Sequence, residues 1–236
     1  MPVSPAGPPG SRFRWGLLDA LAVWLGGLFV GGFAGVLLGN TVDGEFELTT
    51  AAFAVVVLVQ NAAMFGGTVI VSRFRGSGSL DRDFGLDVTP RDAAWLLVGL
   101  VLQLVALVAL LPIAELAGLD EAPQEAVQRL EQAGGLELAV LAFGVVIVAP
   151  VVEELLFRGL LLRSLLRRTT PAGAVTISAG LFGLVHLADP GAAVVVPGLV
   201  ALGLLTGVEA TRTGSLSRPI LLHAGFNLLT VLVLVF

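Results

Sequence analysis

Long apolar runs constrain the fold of this chain more than any other feature of its sequence. They cover residues of about 15–39, 51–71, 93–117, 137–158, 172–187, 192–212 and 219–236. Most approach the roughly 20 residues that a helix needs to cross a bilayer. In lipid only helices and closed barrels satisfy their backbone hydrogen bonds, and continuous rather than alternating apolar runs exclude a barrel. We therefore predict an all-α membrane protein, a polytopic bundle of about seven or eight transmembrane helices.

Composition supports one membrane domain. Only 13% of the 236 residues are charged, about half the share of a soluble domain. Residues 1–11 are rich in Pro and Gly, and we predict that they are disordered. Residues 12–236 are predicted to form a single transmembrane helical domain. The chain has no cysteine, which excludes disulfides, thiolate metal sites and a cysteine nucleophile.

The arginines predict an orientation. Every basic residue of the chain is an arginine. Apart from Arg129 and Arg158, they lie at the N-terminus or after the second, fourth and sixth apolar runs. By the positive-inside rule the N-terminus is cytoplasmic, and we expect a multi-pass protein of the plasma membrane. No basic stretch suggests nucleic acid as a partner.

Six polar side chains interrupt the apolar runs 137–168, 172–187 and 219–236, and we predict that the functional site lies there. They are Glu153, Glu154, Arg158, His186, His223 and Asn227, and they include both histidines of the chain. An Asp, Lys or Arg at the centre of a transmembrane helix costs roughly 2.5–3.5 kcal/mol, so such groups face a bundle interior and serve a function.

The spacing of the two glutamates assigns them different tasks. Residues four apart share a helix face, so we predict that Glu154 and Arg158 form a charge-compensating pair. Adjacent residues diverge by about 100° on a helix, so the two carboxylates are not expected to face one point. This leaves Glu153 to face the centre of the bundle.

The two histidines follow the same spacing rule. Phe182 and His186 are four apart, so the phenyl ring can pack beside the imidazole and exclude water. His223 and Asn227 are also four apart, and they project an imidazole and a carboxamide from one face of the last helix. Each motif alone is weak evidence, but together they account for both histidines of the chain.

Distances along the chain predict that Glu153 and His186 meet. Both lie about 25 Å from the turn near Thr170 at 1.5 Å per residue, on helices that run antiparallel. His223 lies only four residues after Pro219, much nearer the start of its helix. We therefore predict a site one or two turns below the cytoplasmic surface.

Two mechanisms of water-dependent acyl transfer fit these residues. In the first, Glu153, His186 and His223 bind zinc, and water occupies the fourth position. In the second there is no metal, and Glu153 is the general base for a water that His186 also holds. His223 and Asn227 then stabilise the oxyanion. If Glu154 is held by Arg158, the zinc version lacks a base, which favours the metal-free version.

The three motifs together resemble those of the CPBP family, the CAAX prenyl protease and bacteriocin-processing (Abi) intramembrane proteases. The matching residues, in order on separate helices, are Glu153-Glu154-x-x-x-Arg158, Phe182-x-x-x-His186 and His223-x-x-x-Asn227. The resemblance covers about 150–230. It implies a membrane-embedded endopeptidase in which Glu153 and His186 activate water while His223 and Asn227 stabilise the oxyanion.

The resemblance suggests a class of substrate without naming one. A hydrophobic peptide, prenylated or bacteriocin-like, that enters from the bilayer is the expected partner. One alternative is a non-catalytic immunity or peptide-binding membrane protein that keeps the same fold. Another is a transporter or ion pathway, since buried Glu and His are also typical of those proteins.

Overall fold

The structure is a computed structural model that describes residues 13–42, 45–116 and 124–235. Residues 1–11, predicted to be disordered, lie outside the described residues. The helices are α1 Leu17–Leu38, α2 Thr50–Arg75, α3 Leu80–Phe84, α4 Ala94–Leu116, α5 Glu125–Gln132, α6 Gly135–Leu165, α7 Pro171–Val185, α8 Val196–Thr213 and α9 Ser217–Val235. Two short strands, β1 Asn40–Val42 and β2 Glu45–Glu47, form an antiparallel hairpin after α1. The predicted all-α membrane architecture is confirmed in outline.

Six helical segments of the described chain are long and apolar enough to cross a membrane: Leu17–Leu38, Thr50–Arg75, Pro90–Leu110, Gly135–Leu165, Pro171–Ala188 and Ser217–Leu234. Helix α8, the sixth predicted run, is not among them. It contains the charged residues Glu209 and Arg212 and three threonines, which lower its hydropathy. The predicted number of seven or eight spans is therefore not established.

Three closely packed helix pairs accompany the long helix α6. Helices α1 and α2 pack antiparallel, as do α7 and α8. Helices α4 and α9 run parallel, because Asp92 contacts Arg218 near the start of both helices and Gln103 contacts Thr230 further along both. The last pair is exceptionally close. A Cβ atom at Gly99 would lie 2.0 Å from the carbonyl oxygen of Leu222, and one at Gly225 would lie 2.1 Å from that of Leu96. Small residues at such crossings let backbones approach within a membrane, and here they position the helix that carries His223.

Helix α6 is interrupted by two π-helical segments, Gly144–Val148 and Leu155–Leu162. Such segments bond i to i+5, occur often at functional sites and disturb the regular pattern of carbonyl partners. In the second segment, the Ser178 hydroxyl of α7 donates to the Phe157 carbonyl at 3.1 Å. The distortion therefore lies beside the glutamates and is stabilised from a neighbouring helix.

The loop between α2 and α4 folds onto the ends of α6 and α9. Phe84 is fully buried, and Arg163 of α6 donates to its carbonyl oxygen at 3.3 Å. The Leu216 amide donates to the same oxygen at 3.1 Å, and the Ser215 hydroxyl donates to the Gly85 carbonyl at 2.5 Å. These contacts fix the start of α9, six residues before His223.

Candidate active site

The site residues lie on α6, on α9 and at the end of α7, where His186 directly follows the last helical residue, and all are within segments that can span the membrane. Glu154 and Arg158 form the predicted ion pair, with 3.0 Å between Glu154 Oε1 and Arg158 Nη1 and no exposed side-chain surface on either. The guanidinium carbon lies 4.5 Å from the centre of the Phe182 ring, which adds a cation–π contact. Gly203 of α8 makes room for this group, because a Cβ there would lie 3.0 Å from Arg158 Nη2.

His223 joins the two glutamates. Its Nδ1 atom lies 3.0 Å from Glu154 Oε1, and its Nε2 atom lies 3.7 Å from Glu153 Oε2. The prediction that the two carboxylates would not face one point is wrong in this respect, because both contact the same imidazole, one at each ring nitrogen.

Exposure separates the two glutamates. The Glu153 side chain retains 24% of its accessible surface, whereas Glu154 retains none. Glu154 Oε1 also accepts from both Arg158 and His223. Glu153 is thus the less buried of the two carboxylates.

Phe182 lies between the two histidines, and its side chain is fully buried. The ring centres of Phe182 and His186 are 5.0 Å apart, and those of Phe182 and His223 are 5.5 Å apart, both edge to face. Phe157 packs against it at 5.2 Å. The predicted packing of Phe182 beside His186 is confirmed, and the same ring also packs against His223.

His186 does not meet Glu153 as predicted. Its Nδ1 atom lies 2.7 Å from the Phe182 carbonyl oxygen of its own helix, and among the described residues no hydrogen bond or ion pair joins it to Glu153. The prediction assumed a regular rise per residue along α6, whereas a π-helical segment lies between Glu153 and the turn near Thr170. The two residues are linked through Phe182 and His223 instead.

Asn227 makes a contact that the spacing did not predict. Its Nδ2 atom donates to the Val145 carbonyl at 2.9 Å, within the first π-helical segment of α6. An amide nitrogen carries two hydrogens, so one remains for another acceptor. The contact anchors α9 to α6 one helical turn beyond His223.

The partners of both imidazoles select the same tautomer. A backbone carbonyl only accepts, so His186 carries hydrogen on Nδ1 and leaves Nε2 as an acceptor. An ionised Glu154 also only accepts, which places hydrogen on Nδ1 of His223 and turns Nε2 toward Glu153. These assignments follow from the hydrogen-bond partners.

The predicted zinc ligands Glu153, His186 and His223 do not converge as a metal-binding set. Within the ranges that the structure describes, no group of three or more His, Cys, Asp or Glu side chains has the arrangement of a metal site. The Nδ1 contacts of both histidines leave their Nε2 atoms available as ligands. The structure thus brings Glu153 and His223 together, while no hydrogen bond or ion pair joins His186 to Glu153 among the described residues.

Sequence reasoning missed two residues that build the site. The Ser178 hydroxyl donates to a carbonyl of the π-helical segment, and Gly203 leaves space for Arg158. Neither a serine nor a glycine in an apolar helix signals such a role, because each depends on which helix lies opposite. The close glycines of α4 and α9 escaped notice for the same reason.

The fold and the buried carboxylate–imidazole site define a class, the multi-pass helical membrane protein with a polar centre. Residues 135–229 match the model of the Rce1-like family, described as type II CAAX prenyl endopeptidase Rce1-like. This match confirms the resemblance drawn from the three motifs. No curated protein and no solved structure matches the chain. The family is one of intramembrane proteases, and the match supports this activity.

Proposed function

We propose that this protein is an intramembrane endopeptidase that hydrolyses a membrane-associated, hydrophobic or lipidated peptide. The observation that carries the proposal is the position of His223 between Glu153 and Glu154, inside the region that matches the Rce1-like family. A peptide-binding protein has no need for a partly exposed carboxylate whose neighbour is an oriented imidazole. Hydrolysis uses both groups.

Water activation falls to Glu153. Its exposed fraction lets it reach a water molecule, and it accepts one of the water's protons as the hydroxide adds to the scissile carbonyl carbon. His186 is half-buried, and its Nε2 atom can accept the other hydrogen of the same water as a hydrogen bond. In this proposal, Glu153 and His186 move closer together when the substrate binds.

The proton that Glu153 takes from water passes to His223. His223 Nε2, 3.7 Å from Glu153 Oε2, accepts it, and Glu154 stabilises the resulting imidazolium through Nδ1. The protonated Nε2 donates to the oxyanion and then gives its proton to the leaving amine as the C–N bond breaks. In this scheme Asn227 provides a second donor through its remaining N–H.

The substrate reaches the site from the bilayer in this proposal, because the site helices lie within membrane-spanning segments. We place the N-terminus in the cytoplasm and the protein in the plasma membrane, following the arginine distribution. The buried phenyl rings around the histidines suit a substrate that brings apolar groups with it.

Replacing Glu153 by Gln tests the proposal. Purified protein in lipid vesicles should cleave a hydrophobic or prenylated peptide, and Glu153→Gln should lower kcat by about 10²–10⁴-fold because the general base is lost. The measurement is peptide cleavage followed by mass spectrometry, with folding checked by thermal melting.

The matched control is Glu137→Gln, the same substitution at an exposed position on the first turn of the same helix. It should leave kcat unchanged. Equal activity of wild type and Glu153→Gln in folded protein would contradict the proposal. A folded wild-type protein that binds peptides and never cleaves them would favour the immunity or peptide-binding alternative.

Metal analysis checks the metal-free mechanism. We expect active preparations to contain no stoichiometric zinc and to cleave peptide after treatment with a chelator. The measurement is elemental analysis of wild type and His186→Ala at matched folding. About one zinc per chain in the wild type, lost in His186→Ala, would contradict the metal-free mechanism and show that His186 takes part in a zinc site.

A further inference from the structure

Four arginines gather around the start of α1, where α2 and α6 end. This arginine cluster consists of Arg14, Arg75, Arg167 and Arg168, all of them exposed. The Arg14 amide donates to the Arg75 carbonyl at 2.8 Å. Arg168 Nη2 lies 4.0 Å from the position that a Cβ would take at Gly16. Three chain segments therefore bring their guanidinium groups to one surface.

The carboxylate beside the arginine cluster does not balance the positive charge of its four guanidinium groups. This carboxylate is Asp19, which lies 3.3 Å from Arg75 and also accepts from the Gly16 amide at 2.7 Å. Arg14 donates to a main-chain carbonyl, as does Arg167, and the Arg168 side chain makes no ion pair within the described ranges. The surface thus holds an excess of guanidinium groups.

The two adjacent arginines repel each other. Partial burial, followed by the positive charge of Arg168, lowers the pKa of Arg167 from its ordinary value. An anion placed between the two guanidinium groups would offset this repulsion. Planar guanidinium groups bind phosphate oxygens in a bidentate manner, so phosphate is the anion that such a surface favours.

The position of the cluster indicates where the phosphate comes from. The spanning segment of α1 begins at Leu17, and that of α6 ends at Leu165, two residues before Arg167. Leu18 and Phe74 beside the cluster are 80% and 72% exposed. A phosphate group held here would therefore have apolar side chains on its membrane side, where acyl chains lie.

We propose that the arginine cluster binds the headgroup phosphate of an anionic phospholipid whose acyl chains contact Leu18 and Phe74. The cluster lies at the end of α6 away from the first π-helical segment and is separate from the glutamates and histidines. The binding does not depend on proteolytic activity. Its role is to hold the ends of α1, α2 and α6 together at the membrane surface.

Thermal melting of the delipidated full-length protein tests this proposal. Phosphatidylglycerol should raise Tm above the value in phosphatidylcholine. Arg168→Gln, which removes no hydrogen bond that the structure describes, should remove about 2–4 °C of that difference. Arg14→Gln provides a second variant if Arg168→Gln does not fold. Native mass spectrometry should show fewer retained phosphatidylglycerol molecules in either variant.

The matched control is Arg82→Gln, an exposed arginine outside the cluster, which should keep the full response to phosphatidylglycerol. A separate titration with inorganic phosphate and glycerol phosphate distinguishes a free anion from a lipid. Equal stabilisation by these soluble phosphates would overturn the lipid assignment. Equal Tm of the wild type in the two lipids would overturn the site itself. So would a loss of the phosphatidylglycerol response in Arg82→Gln as large as that in Arg168→Gln.

Discussion

Arg158→Met should destabilise the protein by about 3–5 kcal/mol, the usual cost of removing one partner from a buried ion pair. Glu154 would keep its charge at a position with no exposed surface, with His223 as its remaining partner. The loss of the cation–π contact with Phe182, 4.5 Å away, adds to the effect. Unfolding of the purified protein in mixed micelles, monitored by tryptophan fluorescence, measures it.

The double variant Glu154→Leu/Arg158→Met separates stability from function. Removing both charges leaves no unpaired ion in the helix, so the double variant should be more stable than Arg158→Met alone. Glu154 Oε2 and two nitrogens of Arg158 have no hydrogen-bond partner among the described residues, so the pair itself carries a desolvation cost. Cleavage should not recover, because His223 has lost the carboxylate that orients it.

The control for this experiment is Arg212→Met. Arg212 pairs with Glu209 at 3.6 Å, but its side chain is 74% exposed, so its removal should have little effect on stability. Additive effects of the Glu154 and Arg158 substitutions would show that the two side chains are not energetically coupled. Full cleavage by the double variant would remove Glu154 as a positioning residue for His223.

Gly225→Ala should greatly reduce the amount of folded protein, although it adds a single methyl group. The new Cβ would lie 2.1 Å from the Leu96 carbonyl oxygen. This oxygen belongs to the main chain, so it cannot move aside by a change of side-chain rotamer. Overpacking of this kind costs typically about 1–3 kcal/mol and more when backbones must separate. Because α9 would move away from α4, His223 and Asn227 would move with it. Monodisperse yield and Tm in detergent measure the effect.

Gly180→Ala is the control for Gly225→Ala. Gly180 lies in α7, and nothing lies within 4 Å of a Cβ at that position. Alanine in a helix interior is preferred over glycine by about 0.5–1 kcal/mol, so Gly180→Ala should be neutral or slightly stabilising. A similar loss of folded protein in both variants would show that the α4–α9 approach is not what makes Gly225 necessary.

Sequence by itself determined the helical membrane architecture. A run of twenty apolar residues has few folded outcomes in lipid, and each predicted run corresponds to a helix of the structure. The i, i+4 rule also predicted the Glu154–Arg158 pair and the contact between Phe182 and His186. These predictions succeed because they depend on local helix geometry, which the chain carries with it.

Only the tertiary structure decided how the polar residues combine. That His223 lies between two adjacent glutamates depends on where α9 crosses α6, and this in turn depends on the close glycines of α4 and α9. The π-helical segments changed the rise and rotation along α6, so the predicted meeting of Glu153 with His186 is absent. Helix periodicity fixes which residues share a face, whereas the relative height and rotation of helices depend on side chains from several segments at once.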